Sequence, residues 1–137
     1  MIRLALTLFL ATAGLASTET FTPVALCTFQ PTCEDGDFLC EIARKKIFYN
    51  VRHYPTGDRW SLMDHRNNME TFVARSSSDV AVTYRGDEIG AHGEVIGWFE
   101  LMINHSGHAQ LLSEATINGK LWSSTISGKC DAARASQ

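Results

Sequence analysis

The C-terminal third of the chain consists of three long runs of strand-forming residues separated by two short polar turns. The runs cover residues 95–104, 108–117 and 120–129, and the turns contain Ser106-Gly107 and Asn118-Gly119. Runs rich in branched and aromatic residues and bounded by Gly, Asn or Ser are typical of antiparallel strands. This pattern restricts the C-terminal third to consecutive hairpins.

Asn118-Gly119 fixes how the last two runs pair. Asn-Gly favours the type I′ turn of a two-residue hairpin, in which the residues flanking the turn face each other. The resulting pairs are Ile117 with Lys120, Ala115 with Trp122, Ser113 with Ser124, Leu111 with Ile126, and Ala109 with Gly128. Because opposed side chains share one face of a sheet, we expect an apolar face with two serines across its middle.

The same turn geometry at Ser106-Gly107 would bring a carboxylate to this face, because Glu100 would then lie opposite Ser113. The candidate pocket residues in this arrangement are Trp98, Glu100, Ser113, Trp122 and Ser124. If the strands are offset by one residue, Glu100 points to water and the alternate residues pack inside. Those alternate residues are Val95, Phe99, Leu101 and Ile103. We favour the offset arrangement, because this second face is equally apolar.

The middle of the chain predicts four further strands. One covers residues 47–51 and ends at a turn near Pro55, and three short runs follow at 59–65, 69–75 and 79–85. A helix over 62–73 is an alternative, which two adjacent asparagines disfavour. Residues 86–94 contain three glycines and are expected to form a long loop. The fold class is therefore all-β, an antiparallel meander of about 7–8 strands that forms a small barrel or sandwich.

The first sixteen residues have the layout of a secretory signal peptide. Arg3 precedes a short apolar core, and small residues at Gly14 and Ala16 suit a cleavage site. We therefore divide the chain into a signal peptide (1–16), a cysteine-bearing coil with a short strand at 20–26 as an option (17–39), a β domain (40–130) and a tail (131–137). The expected location is secreted or periplasmic.

Four cysteines, Cys27, Cys33, Cys40 and Cys130, suit an oxidising compartment. Their spacing matches no zinc module. We favour disulfides between Cys40 and Cys130 and between Cys27 and Cys33, because Cys40 directly precedes a predicted strand and Cys130 directly follows the last one. The first bond would hold the two ends of the domain together.

His105 and His108 are the candidate metal ligands. If Ser106-Gly107 is a two-residue turn, the two imidazoles lie opposite each other and could share zinc or copper, with His92 or Glu94 as a third ligand. The chain lacks the Gly-x-Ser-x-Gly motif of activated serines and any glycine-rich phosphate loop. The sequence therefore assigns no catalytic residue and no cofactor other than this metal.

Composition narrows the class of partner. The formal net charge is −3 and the longest basic run is Arg44-Lys45-Lys46, so we expect no nucleic-acid partner. Outside the N-terminal segment no stretch is apolar enough to cross a membrane. The sequence best fits a non-catalytic binding or accessory module for a small ligand or a protein partner. The alternatives are a metal-binding protein or metal-assisted enzyme using His105 and His108, and a structural component of an envelope assembly.

Overall fold

The computed structural model describes residues 19–30, 47–66 and 68–132, and these form a closed barrel of eight antiparallel strands. The strands are β1 (Thr22–Phe29), β2 (Ile47–Tyr54), β3 (Arg59–Asp64), β4 (Met69–Ser77), β5 (Ala81–Ile89), β6 (Val95–Asn104), β7 (His108–Ile117) and β8 (Lys120–Ala132). Each strand pairs with the next, and β1 pairs with β8. The all-β meander is confirmed. Within the described ranges there is no helix, so the alternative helix over 62–73 is wrong.

A disulfide joins the two strands that close the barrel. Cys27 on β1 lies directly opposite Cys130 on β8, and the two are bonded to each other. The expected bonds of Cys40 with Cys130 and of Cys27 with Cys33 are therefore wrong. The reason is that residues 22–29, assigned to a coil-like segment, form a full barrel strand that carries Cys27 to the last strand. Cys33, Cys40, the signal-peptide segment and residues 133–137 lie outside the described residues.

The β5–β6 connection is shorter than the sequence predicted. Strand β5 continues through Gly86 to Ile89, so the loop covers only residues 90–94. Gly86 is required within the strand because a Cβ at this position would lie 2.6 Å from the ring of Phe99 on β6. The glycine that indicated a loop instead makes room for an inward-facing aromatic ring.

The β7–β8 hairpin has the predicted register at every pair from Ile117–Lys120 to Ala109–Gly128. Asn118 and Gly119 have φ values of 53° and 74°, as a type I′ turn requires. Ser113 and Ser124 therefore face each other on the inner surface of the barrel.

The β6–β7 hairpin has a different turn, and the pairing of Glu100 with Ser113 is wrong. The observed pairs include Phe99 with Ser113 and Ile103 with Ala109. Asn104 widens the turn, because its Oδ1 accepts hydrogen bonds from the Ser106 backbone (3.1 Å) and from the His108 backbone (3.0 Å). The favoured offset arrangement is thereby confirmed: Phe99, Leu101 and Ile103 face the core.

Side chains fill one half of the barrel interior more completely than the other. Along β7, the inward-facing residues change from Ala109 and Leu111 (3% and 8% exposed) to half-buried Ser113 and finally to Ile117 (48% exposed). Strand β1 pairs only with residues 128–132 of β8. The first half of β8 therefore has no described partner on that side. The core around Val51, Leu62 and Leu101 therefore occupies one end, and the other end is open.

A second cluster packs on the outer surface of β2, β3 and β4. Glu70 accepts hydrogen bonds from the Tyr54 hydroxyl and the fully buried Ser61 hydroxyl, both at 2.6 Å, and lies 3.7 Å from Arg52. Phe21 packs on Tyr54 and under Arg52, which ties the residues before β1 to this face. We call Arg52, Tyr54, Ser61 and Glu70 the outer cluster.

Candidate functional site

A cavity of about 300 Å³ occupies the open half of the barrel interior. The apolar residues of its lining include Ile47, Leu62, Phe99, Leu111 and Ile126. They lie on five strands, and strand alternation directs each of them inward. The volume is at the lower end of the range for small-molecule sites, so the cavity suits a small organic ligand.

A pair of hydroxyl groups interrupts the apolar wall. The Oγ atoms of Ser113 and Ser124 are 2.8 Å apart and form one hydrogen bond. Each hydroxyl has donor and acceptor capacity beyond that single bond. The pair can therefore offer a hydrogen bond to a ligand in the cavity.

Three polar side chains form what we call the mouth cluster: Tyr49 on β2, Asp64 on β3, and Arg66, which follows β3. The Arg66 Nη2 atom donates to Asp64 Oδ2 at 2.8 Å and to the Tyr49 hydroxyl at 3.0 Å, and Arg66 Nε lies 3.2 Å from Asp64 Oδ1. Strand pairing places Tyr49 opposite Asp64, which explains why both contact one guanidinium.

The mouth cluster shifts the pKa values of its members. Burial raises the pKa of Tyr49 to about 12, although the charge of Arg66 opposes this shift. Burial alone would raise the pKa of Asp64, but hydrogen bonds from Arg66 together with its charge lower it. The carboxylate and the guanidinium therefore stay charged and bound to each other at neutral pH.

Glu88 on β5 is a further carboxylate in the cavity lining. Burial raises its pKa, while the positive charge of Arg66 opposes the shift. No hydrogen bond reaches its carboxylate from the residues that the structure describes. Glu88 is thus a partly buried acid whose oxygens are available to a ligand.

Exposed apolar side chains on β6, β7 and β8 border the open end. Val95, Ile117 and Trp122 are 62%, 48% and 54% exposed, and we call them the apolar rim. Val95 and Ile117 each lie two residues beyond the Gly97–Ala115 pair, and Trp122 lies opposite Ala115. Lys120 lies over the Trp122 ring at 4.4 Å.

The structure divides the candidate pocket residues between the two faces of the sheet. Ser113, Trp122 and Ser124 share the inner row, and both serines line the cavity. Glu100 and Trp98 belong to the outer face, where Arg85 lies 3.5 Å from Glu100 and over the Trp98 ring at 4.4 Å. The one-residue error in the β6–β7 register accounts for both misplaced residues.

The same register error affects the candidate metal ligands. His105 lies within the turn rather than opposite His108, and its Nε2 contacts the Asp79 carbonyl oxygen. Among the described residues, no three His, Cys, Asp or Glu side chains are grouped so that they could hold a metal ion. The arrangement on which the zinc or copper hypothesis depended is therefore not found.

Sequence reasoning missed Tyr49, Asp64, Arg66 and Glu88 as site residues. A signal for two of them was available, because Tyr49 and Asp64 are each two residues from an inward-facing apolar residue, Val51 and Leu62 respectively. Glu88 was missed because its segment was assigned to a loop rather than to β5.

Comparison of the chain with protein-family models, with curated proteins and with solved structures finds no match. Within the described ranges, no helix is long and apolar enough to cross a bilayer. The disulfide is compatible with an oxidising compartment.

Proposed function

We propose that this protein is a non-catalytic binding module that holds a small organic ligand in the open half of its barrel. The observation that carries the proposal is the cavity of about 300 Å³, whose lining combines inward-facing apolar side chains with polar groups that include a pair of serine hydroxyls. Sites for small molecules typically combine apolar walls with a few polar groups that fix orientation. The cavity, the hydroxyl pair and the mouth cluster provide this combination.

The polar groups of the cavity favour binding over catalysis. No histidine belongs to the described lining, so neither serine has the adjacent base that usually activates a serine nucleophile. Asp64, Arg66 and Tyr49 are bound to one another, which suits them to a fixed wall rather than to proton transfer. The proposed site of action is the periplasm or the exterior, in keeping with the signal-like first sixteen residues and the disulfide.

A variant that fills the cavity provides the test. Ser124→Phe places a ring in the cavity, whereas Ser123→Phe places the same ring on the other face of β8. Native mass spectrometry of the oxidised protein, purified from the compartment that receives it, should detect a bound organic molecule in the wild type and in Ser123→Phe. The Ser124→Phe protein should lack it. A bare wild-type mass, or equal retention by both variants, would contradict the proposal.

A protein partner at the open end is the second candidate, and the exposed apolar rim favours it. Exposed apolar patches with polar surroundings commonly mark protein interaction sites. A photo-reactive residue introduced at Ile117 should crosslink to one defined partner in the native compartment, and the same residue at Ser76, on β4, should not. Crosslinking to many proteins without preference would exclude this candidate.

A further inference from the structure

The charged side chains that line the cavity do not balance. Asp64 and Glu88 contribute two inward-facing carboxylates, whereas Asp87 lies opposite Trp98 on the outer face, and Arg66 is the single Lys or Arg in the described lining. Low-dielectric walls focus the field of such groups into a cleft and select the sign of an incoming charge. The lining therefore attracts cations and repels anions.

The one guanidinium of the lining is already occupied. Arg66 contacts Asp64 through both Nε and Nη2, and Nη2 also donates to Tyr49. An anionic ligand would have to displace Asp64 from this paired geometry, which is the strong form of the carboxylate–arginine interaction. Arg66 therefore neutralises the wall and is poorly placed to recognise an anion.

Glu88 is the carboxylate with free acceptor capacity. It is half-buried on β5, and its oxygens accept no hydrogen bond from the described part of the chain. The residue paired with it on β6 is Gly97, which has no side chain to cover the carboxylate. A partly desolvated carboxylate beside open space is a binding group for a charged donor.

We infer that the ligand carries a protonated amine on a short apolar body, and that Glu88 binds the amine while Phe99 and Leu111 contact the apolar body. This inference rests on the proposed function and specifies its ligand class. The cavity volume of about 300 Å³ limits the body to a small group, such as one aromatic ring. The Ser113–Ser124 hydroxyl pair offers a neutral contact for a second polar group of the ligand.

Three probes that share a ring and differ in charge test this inference. Benzylamine, benzyl alcohol and benzoate are titrated into the full-length oxidised protein by isothermal calorimetry. We expect benzylamine to bind at least about tenfold more tightly than benzyl alcohol, because a hydrogen bond to a charged group contributes more than a neutral one. Benzoate should bind more weakly than both.

Charge variants identify the carboxylate that binds the amine. Glu88→Gln should weaken benzylamine binding about tenfold or more and leave benzyl alcohol binding within about twofold. Glu88→Lys should reverse the order, so that benzoate binds better than benzylamine. Glu114→Gln is the matched control, because Glu114 lies on the outer row opposite Ser123, and it should change neither affinity.

The outcomes separate this inference from the proposed function. Equal binding of benzylamine and benzyl alcohol, with no effect of Glu88→Gln, would overturn the assignment of an amine and leave the binding cavity in place. Stronger binding of benzoate would overturn it in the same way. Failure of all three probes to bind, together with a bare wild-type mass, would overturn both.

Discussion

Glu70 is the residue on which the outer cluster depends. Burial alone would raise its pKa, but the hydrogen bonds from Ser61 and Tyr54 and the charge of Arg52 outweigh burial and lower it. Ser61 is fully buried, so its hydroxyl depends on a partner within the protein. One carboxylate thus satisfies polar groups on two neighbouring strands.

We predict that protonation of Glu70 contributes to acid destabilisation. Because its folded-state pKa is lower than the ordinary 4.5, its stabilising contribution is complete above pH 4.5 and is lost as pH falls through the folded-state value. Urea unfolding as a function of pH should show this loss in the wild type. In Glu70→Gln the free energy of unfolding should fall less steeply as the pH is lowered through this range. If it falls as steeply as in the wild type, Glu70 is not responsible.

Tyr49 gives the corresponding prediction at alkaline pH. Its pKa is raised from 10.0 to about 12, so the folded state keeps the phenol proton after the unfolded state has lost it. The contribution is complete below pH 10.0 and is lost as pH rises toward about 12. The difference in ultraviolet absorbance between the wild type and Tyr49→Phe should show a phenolate titration near pH 12. A titration near 10.0 would contradict the buried position of Tyr49 in the mouth cluster.

At the scale of elements, two hairpin turns show what the sequence can and cannot predict. Asn118-Gly119 requires positive φ at both turn residues, and this local requirement alone fixed the β7–β8 register. At Ser106-Gly107 only Gly107 has positive φ, and the decisive group is the Asn104 side chain, which accepts hydrogen bonds from Ser106 in the turn and from His108 at the start of β7. A short turn motif therefore predicts register only when no neighbouring side chain competes for the turn backbone.

Gly97 on β6 leaves no room for a side chain beside the backbone of β7. A Cβ at Gly97 would lie 1.8 Å from the Glu114 carbonyl oxygen, so Gly97→Ala should force the strands apart and reduce the free energy of unfolding by about 1–3 kcal/mol. Gly93→Ala is the control for backbone strain, because its φ is 80° but no atom lies within 4 Å of the added methyl. Denaturant unfolding should show the larger loss for Gly97→Ala. The reverse order would contradict the observed β6–β7 packing.

At the scale of the whole molecule, the Cys27–Cys130 disulfide covalently links β1 and β8, the two strands whose pairing closes the barrel. It joins residues 103 positions apart, and a loop of that length constrains the unfolded chain strongly. The double variant Cys27→Ala/Cys130→Ala should reduce the free energy of unfolding by about 2–5 kcal/mol in urea. Cys33→Ala/Cys40→Ala is the control and should cost less, because it leaves the Cys27–Cys130 bond intact. An equal loss in both variants would contradict this account.

The sequence predicted the fold better than it predicted the site, and the reason is physical. Strand alternation and turns are local, so seven of the strands could be predicted from runs of the sequence and the eighth from a short lead-in stretch. The cavity depends instead on pairings between residues that are distant in the sequence. One is the pairing of β1 with residues 128–132 of β8 only, and the other is the pairing of Tyr49 with Asp64. Local sequence patterns therefore identified the two serines but not the mouth cluster or Glu88, which complete the site.

The claim that the open half of the barrel binds small molecules is tested most directly by methyl NMR during titration with benzylamine and benzyl alcohol. Leu62, Leu111 and Ile126 line the cavity, whereas Leu112 is the neighbour of Leu111 on the opposite face of β7. If the ligand enters the cavity, the methyl groups of the cavity residues should show saturable shifts and those of Leu112 should show none. Shifts confined to Leu112 and other outer methyl groups, or no saturable shift at Leu111 and Ile126, would contradict the claim.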